Sequence, residues 1–285
     1  EVERLTDGEA DFAGPTWGDE TTLYYTRSTG DPDPDDSLEY EIIRHDTDAD
    51  ETETLHTTTG WGNGLAATTD GRVSFLYTED DQGTLRQTEV KVLESESGTV
   101  HQPTADLDRT LGFGTPPQWG PDEQSLFFTT PDEGANALWT VEYDDTETEA
   151  VLREDWSSLD GVHVGENVIS FVRSNWDHPG DLFVATHGGA EEHRLTRVNA
   201  DLLDERAVSR PEEISWTNDG VDLQGWVLTP PDFDPDEEYP LAVEVHGGPH
   251  RMWSTTGSMW HEFQTLAARG YVVFWCNPRG ATGYG

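Results

Sequence analysis

One pattern recurs four times in the first two hundred residues of this chain. A polar turn leads into a short apolar strand in TWGDETTLYYT, AATTDGRVSFLYT, QWGPDEQSLFFT and GVHVGENVISFV, and a polar loop and a second strand follow each time. The apolar centres Leu23, Phe75, Leu126 and Ile169 are separated by 52, 51 and 43 residues. Repeats of about 40–50 residues with several strands each are typical of β-propeller blades. The pattern therefore predicts a partial β-propeller of about four blades over residues 1–209.

The same alignment predicts which side chains fill the spaces between blades. Period-2 alternation in each strand directs one set of apolar residues inward, and we expect this set to pack between neighbouring sheets. It comprises Leu23, Tyr25, Phe75, Tyr77, Leu126, Phe128, Ile169 and Phe171, together with the tryptophans ahead of two turns, Trp17 and Trp119. Because four blades rarely close a ring and open edges promote aggregation, we also expect the chain to be truncated at both ends.

Acidity dominates the composition. Asp and Glu number 58 against 16 Lys and Arg, which gives a formal net charge of −42, and Lys91 is the only lysine. Such a chain would repel nucleic acid. Scattered acids on a folded surface are typical of halophilic proteins, because the Debye length falls to about 3 Å in molar salt. A binder of basic proteins stays an alternative, since the sequence does not show whether the acids share one face.

Three features of the sequence concern localisation and the state of the cysteine. EVERLTDGEA does not have the form of a signal peptide, so we expect a cytoplasmic protein, and a signal further upstream is left open. No run of 18 apolar residues is present, and no membrane span is expected. The single cysteine, Cys276, lies in the apolar run YVVFWC and is interpreted as a buried structural thiol.

From Arg210 onward the pattern changes. EISWT and VDLQGWVLTPP are predicted as a hairpin around the turn NDG, LAVEV as a strand, SMWHEFQTLAARG as a helix ending at Gly270, and YVVFWCNP as a strand buried on both faces. A strand, a helix and a second strand in this order favour an α/β sheet with parallel members. The predicted fold class is thus mainly β followed by α/β, with domains at 1–209 and 210–285.

A histidine-glycine-glycine-proline loop follows the strand LAVEV. In open α/β sheets, ligands sit beyond the carboxyl ends of the strands. Glycines let a backbone approach a ligand closely, and free N–H groups there can bind an anion. In α/β-hydrolases the loop at this position supplies one oxyanion-hole donor. A tight turn would also use Gly-Gly-Pro, so the loop alone does not decide the function.

The run YPLAVEVHGGPH…FQTLAARGYVVFWCNPRGATGYG resembles the prolyl oligopeptidase family of serine peptidases, in particular its acylaminoacyl-peptidase-like branch. RPEEISWTNDGVDLQGWVLTPPDFDP is similar to that family's linker into its catalytic domain. The resemblance implies a β-propeller before an α/β-hydrolase domain and short peptides or acyl-peptides as substrates. It implies that the Gly248 N–H binds the oxyanion and that His246, Gly247 and Pro249 support the loop.

The resemblance also implies a Ser, Asp and His triad, and no G-x-S-x-G elbow occurs in residues 1–285. We therefore expect nucleophile, base and acid to follow Gly285, and this piece alone to be inactive. A carboxylesterase-type hydrolase and a non-catalytic propeller binding module are the alternatives. A strong preference for ester substrates would favour the carboxylesterase. The lack of a G-x-S-x-G motif downstream would favour the binding module. No cofactor or metal is expected, because the histidines lack HExxH or CxxC spacing, and a homo-oligomer is left open.

Overall fold

The computed structural model describes residues 4–6, 8, 10–29, 38–60, 64–79, 86–112, 116–248, 250–256 and 259–285. The chain divides into two compact units, Glu1–Thr129 with Trp139–Glu149, and Thr130–Leu138 with Ala150–Gly285. The domain boundary predicted at residue 210 is based on the change of strand pattern in the sequence, and it stays a prediction.

Four sheets of four strands follow one another, each with its strands side by side in sequence order. The first contains β1 (Phe12–Trp17), β2 (Thr22–Ser28), β3 (Glu39–Asp46) and β4 (Glu51–Thr59). The second contains β5 (Ala66–Ala67), β6 (Arg72–Thr78), β7 (Thr88–Glu94) and β8 (Val100–His101). The third contains β9 (Gln118–Trp119), β10 (Ser125–Asp132), β11 (Ala135–Glu142) and β12 (Glu149–Leu152). The fourth contains β13 (Ser158–Val164), β14 (Ile169–Asn175), β15 (His178–Ala185) and β16 (His193–Arg194), and the short helix α1 (Ala200–Leu203) follows.

Successive strands run antiparallel, as in the pairs β1–β2, β6–β7, β9–β10 and β14–β15. The predicted repeat is thus present as a repeat of four-stranded sheets. The strands of each sheet alternate apolar and polar residues. A sheet can therefore bury its apolar face only by packing against another layer. The number of blades and the closure of a ring stay predictions.

Apolar side chains fill the spaces between the first and second and between the second and third sheets, as the alignment predicts. One cluster joins the first two sheets around Tyr24, Ile42, Val73 and Phe75, and a second cluster contains Leu76, Val90, Leu126 and Phe128. Six of the predicted inward residues are buried, namely Tyr25, Phe75, Leu126, Phe128, Ile169 and Phe171. Leu23 and Tyr77 are only half-buried, and Tyr24, on the opposite face of β2 from Leu23, is buried in the first cluster.

The two tryptophans ahead of turns differ. Trp119 is half-buried, and its Nε1–H donates to the carbonyl oxygen of Ala66 in the preceding sheet at 3.1 Å. Trp17 is 56% exposed, so the prediction that it packs between sheets is wrong. Trp17 ends the edge strand of the first sheet, and no earlier sheet stands among the described residues to receive its ring. Position in the array, which a repeat alignment ignores, decides the burial.

The fifth sheet has another topology. It contains β17 (Glu212–Asn218), β18 (Val221–Leu228), β19 (Leu241–Glu244) and β20 (Val272–Asn277), and the helix α2 (Trp260–Ala268) connects the last two strands. The strand order is β17-β18-β20-β19. β18 and β20 are antiparallel, whereas β19 and β20 are parallel. The predicted hairpin and the predicted parallel strand–helix–strand unit are both present.

Helix α2 packs its apolar stripe on this sheet. Phe263 and Ala267, four residues apart, lie on one helix face and are buried. The Phe263 ring stacks on Trp275 with centroids 4.3 Å apart, and Trp275 stacks on Trp226 at 6.0 Å. The helix ends where Gly270 adopts φ +88°, a conformation that favours glycine.

Strand β20 departs from the prediction that both of its faces are buried. Val273, Trp275 and Asn277 are buried on one face, while Phe274 and Cys276 on the other are half-buried. Cys276 is accordingly not a fully buried thiol, although partial burial raises its pKa. Within the described ranges, no helix has the length and apolarity that a membrane crossing needs.

Candidate active site

The glycine loop leaves the parallel strand β19 at its carboxyl end. β19 ends at Glu244, and the chain continues through Val245 and His246 into Gly247 and Gly248. Gly248 adopts φ +68°, in the left-handed region that side chains disfavour. The loop therefore lies at the edge of the sheet where α/β proteins bind ligands.

The backbone of Gly248 offers a free donor. Its carbonyl oxygen accepts a hydrogen bond from the Arg251 N–H at 3.0 Å, which closes a turn, whereas its own N–H has no partner among the residues described. The residue is exposed, and a Cβ placed on Gly247 would have no atom within 4 Å. This amide can thus donate to an oxygen atom that approaches from outside. Pro249 lies outside the described residues.

His246 packs beside the loop. Its ring lies 5.4 Å from the Trp253 ring, and its Nδ1 is 3.4 Å from the Gly247 carbonyl oxygen. Its Nε2 is buried and has no hydrogen-bond partner in the described part of the chain. The interpretation of His246 as a residue that supports the loop stays a prediction.

A second loop, which follows β20, is bonded to the glycine loop. His250 Nδ1–H donates to the Gly280 carbonyl oxygen at 3.0 Å, and the Thr282 N–H donates to the His250 carbonyl oxygen at 2.7 Å. His250 itself adopts φ +73°. Two hydrogen bonds thus fix the segment after Gly248 against residues 280–282.

Asn277 fixes the same segment from the other side. Its amide pairs with the backbone of Trp253: Oδ1 accepts from the Trp253 N–H at 2.7 Å, and Nδ2–H donates to the Trp253 carbonyl oxygen at 2.8 Å. Nδ2 also lies 2.8 Å from the hydroxyl oxygen of Tyr284, which donates in turn to Gln224. Burial raises the pKa of Tyr284 to about 12, so its phenol stays protonated at neutral pH. Asn277 is 2% exposed, so these bonds are shielded from water.

Asn277, His250 and Tyr284 were not predicted from the sequence to be parts of the site. A single amide at the end of an apolar strand, in VVFWCN, is the signal that could have indicated Asn277, because a buried amide needs partners. No group of three or more His, Cys, Asp or Glu side chains in the described ranges is arranged to hold a metal ion.

Known proteins that are similar in sequence to this chain are named as peptidases. No family model matches the chain. It is 34% identical over 170 residues to the uncharacterized peptidase YuxL of Bacillus subtilis, a match that covers 59% of the chain and 25% of the relative. It is 28% identical over 170 residues to dipeptidyl-peptidase 5 of Porphyromonas gingivalis, with the same coverage of 59% and 25%.

The fold is that of a solved peptidase. The acylaminoacyl peptidase of Pyrococcus horikoshii superposes with a TM-score of 0.80 at 19% identity, over 95% of this chain and 40% of that one. The chain spans about a quarter of the length of the curated relatives it matches, with 25% coverage of each. The successive four-stranded sheets, the parallel unit with its glycine loop and these relatives all agree with the resemblance of this chain to the prolyl oligopeptidase family of peptidases.

Proposed function

We propose that the whole protein is a serine peptidase that hydrolyses short peptides or acyl-peptides, and that the Gly248 N–H is one donor of its oxyanion hole. The observation that carries the proposal is the exposed amide of Gly248, which has no partner among the described residues and follows a parallel strand. Residues 1–209 would form propeller blades, and residues 210–285 the first part of an α/β-hydrolase domain. The relatives named as peptidases support the reaction class.

The chemistry requires a donor where negative charge develops. When a serine hydroxyl attacks a peptide carbonyl, the carbonyl oxygen becomes an oxyanion in the tetrahedral intermediate. One donor aimed at this oxygen contributes about 2.7–4 kcal/mol to catalysis. A backbone N–H held by a turn needs no reorganisation during the reaction, and the Gly248–Arg251 turn is of this kind. The reaction also requires a nucleophile, a base and an acid.

The remaining loop residues have supporting roles in this proposal. Gly247 leaves open space beside the donor, since no atom lies within 4 Å of a Cβ built there. His246 holds the loop through its contact with Trp253. Pro249 would restrict the chain after the donor, because its ring fixes φ. The propeller would limit access to short peptides.

Replacement of Gly248 tests the proposal in the full-length protein. A Cβ at Gly248 would lie 3.0 Å from Arg251 Cδ, and a left-handed φ costs an L-residue about 1–2 kcal/mol. Gly248→Ala should therefore displace the amide and lower kcat by about tenfold or more on an aminoacyl p-nitroanilide, with a small change in KM. Gly270→Ala is the matched control, because Gly270 has φ +88° and no atom within 4 Å of its Cβ.

Substrate choice tests the reaction class. The wild-type protein should cleave aminoacyl or acyl-aminoacyl amides and react with a fluorophosphonate probe. A strong preference for p-nitrophenyl esters would make it an esterase instead. An absence of both activities would refute the catalytic proposal, and equal kcat values for the two alanine variants would remove Gly248 from the oxyanion hole.

A further inference from the structure

The hairpin between β10 and β11 ends in an unusual tip. Its two connecting residues, Glu133 and Gly134, have φ values of +48° and +81°, which is the pattern of a type I′ turn. Glutamate is uncommon at the first of these positions, where Asn, Asp and Gly are preferred. The tip belongs to the same compact unit as the candidate active site.

Both amides of the tip are bonded to the site's own loops. The Glu133 N–H donates to the Gly283 carbonyl oxygen at 3.0 Å, and the Gly134 N–H lies 3.0 Å from Met252 Sδ. Gly283 belongs to the loop that follows β20, and Met252 stands four residues after Gly248. The tip therefore contacts both of the segments that hold the candidate oxyanion donor.

The approach is too close for side chains. A Cβ on Gly134 would lie 2.5 Å from Trp226 Cζ2 and 2.7 Å from its Cη2. A Cβ on Gly283 would lie 2.9 Å from Met252 Sδ and 3.1 Å from the backbone nitrogen of Asp132. Trp226 is fully buried in the core of the fifth sheet and cannot move aside easily. Glycine at both positions is thus a condition of this contact.

The residue before the tip, Asp132, takes part in an ion pair. Asp132 is 5% exposed, and its carboxylate accepts a hydrogen bond from Arg153 Nε. Arg153 Nη1 also pairs with the Asp155 carboxylate at 2.7 Å. An ion pair with one nearly buried partner resists displacement, because separation would leave a buried charge unpaired.

We propose that the β10–β11 hairpin tip is a positioning element for the oxyanion loop, with Glu133 and Gly134 as its positioning residues. The tip fixes Met252 and Gly283, and His250 transmits this restraint to the loop through its bonds with residues 280 and 282. The catalytic consequence rests on the proposed function, whereas the restraint on the loop does not. Neither residue would touch substrate.

A pair of alanine substitutions isolates the contact. Gly134→Ala puts a methyl group against Trp226. Gly220→Ala changes the same position of a second type I′ turn, since Asp219 and Gly220 have φ values of +52° and +80°, and its Cβ would have no atom within 4 Å. The two variants share the backbone strain and differ in the packing.

Hydrogen–deuterium exchange of the full-length protein is the first readout. The hydrogen-bonded amides of the two segments should exchange about tenfold faster or more in Gly134→Ala, and at the wild-type rate in Gly220→Ala, because only the first substitution releases the loops. These amides belong to Arg251, Trp253, Ala281 and Thr282. This readout does not require activity, so it still decides the positioning role if the wild-type protein proves not to be a peptidase. A folded Gly134→Ala with wild-type exchange in both segments would overturn the proposal.

The kinetic readout separates positioning from general destabilisation. A displaced oxyanion donor lowers kcat, and misplacement by about 1 Å can cost about 100-fold. Gly134→Ala should lower kcat by about tenfold or more with KM changed less than about twofold, and Gly220→Ala should keep both constants. If Gly134→Ala does not fold, Met252→Leu removes the sulfur acceptor at similar volume and should still lower kcat severalfold. Unchanged kcat and loop exchange in Met252→Leu would then refute the proposal.

Discussion

The amide of Asn277 should be worth more to the stability of this protein than any exposed polar group. Its side chain makes three hydrogen bonds, two to the backbone of Trp253 and one to Tyr284, and it is 2% exposed. Asn277→Ala removes all three and leaves their partners unpaired. With about 1 kcal/mol for each bond, the free energy of unfolding should fall by about 3 kcal/mol, more if the freed groups stay dry.

Urea denaturation measures this loss. For an m-value of about 3 kcal/mol/M, a loss of about 3 kcal/mol shifts the midpoint by about 1 M. Asn218→Ala is the matched control: Asn218 is exposed at the end of β17, so its substitution should change the free energy by less than about 0.5 kcal/mol. A loss below about 1 kcal/mol for Asn277→Ala would refute the reasoning, because water or another group would then replace the bonds.

Asn277→Asp refines the same test. The new carboxylate can still accept from the Trp253 N–H, but its second oxygen would face the Trp253 carbonyl oxygen, which accepts from the amide at 2.8 Å in the native protein. Burial and this repulsion should raise the pKa of the carboxyl group, so the protonated form is favoured in the folded state. The variant should therefore regain stability as the pH falls, relative to Asn277→Ala, and a flat difference between the two would contradict the assigned donor.

Three further predictions follow from charge and burial. Burial raises the pKa of Tyr284 from 10.0 to about 12. The stability due to its neutral phenol is therefore complete below pH 10 and is lost as the pH rises from 10 to 12. In urea denaturation at a series of pH values, Tyr284→Phe should reduce this loss of stability in alkali. Burial lowers the pKa of His178, so the stability linked to its neutral ring is complete above pH 6.5 and decreases below it as the unfolded state takes up a proton. His178→Gln should reduce this loss of stability in acid, as measured by urea denaturation. With a net charge of −42, the thermal midpoint should rise from about 0.1 M to about 3 M KCl, and a midpoint independent of salt would contradict the halophilic interpretation.

The repeated sheets were predictable because their information is local. Alternation of apolar and polar residues with period 2 determines which face of a strand is buried, and the turn residues determine where each strand ends. Phe75 and Phe171 are therefore buried as the alignment predicts. Trp17 is not, because burial also depends on whether another sheet covers the face, and a repeat pattern contains no information on its neighbours.

The surroundings of Gly248 illustrate what the sequence did not reveal. The motif His-Gly-Gly-Pro predicted a loop that offers an oxyanion donor, and this role stays a prediction. The structure shows a positive φ at Gly248 and no partner for its N–H among the described residues. The residues that hold it, Asn277 and Glu133, lie 29 positions after and 115 positions before Gly248 in the numbering of the chain. Their contacts arise only when distant segments meet, so no spacing rule connects them to the motif.

The contacts that converge on the segment after Gly248 are consistent with its proposed role as an oxyanion donor. A loop of two glycines loses more backbone entropy on ordering than any other pair of residues, so it does not hold a fixed shape without outside restraint. Residues 250–253 are bonded to Gly280, Thr282, Asn277 and the hairpin tip, which restrains the chain immediately after the donor. Flexibility that lets a backbone approach a reacting oxygen is useful only if the amide then stays in place. In the proposed function, the glycines would provide the approach, and residues from three other parts of the chain would provide the fixed position.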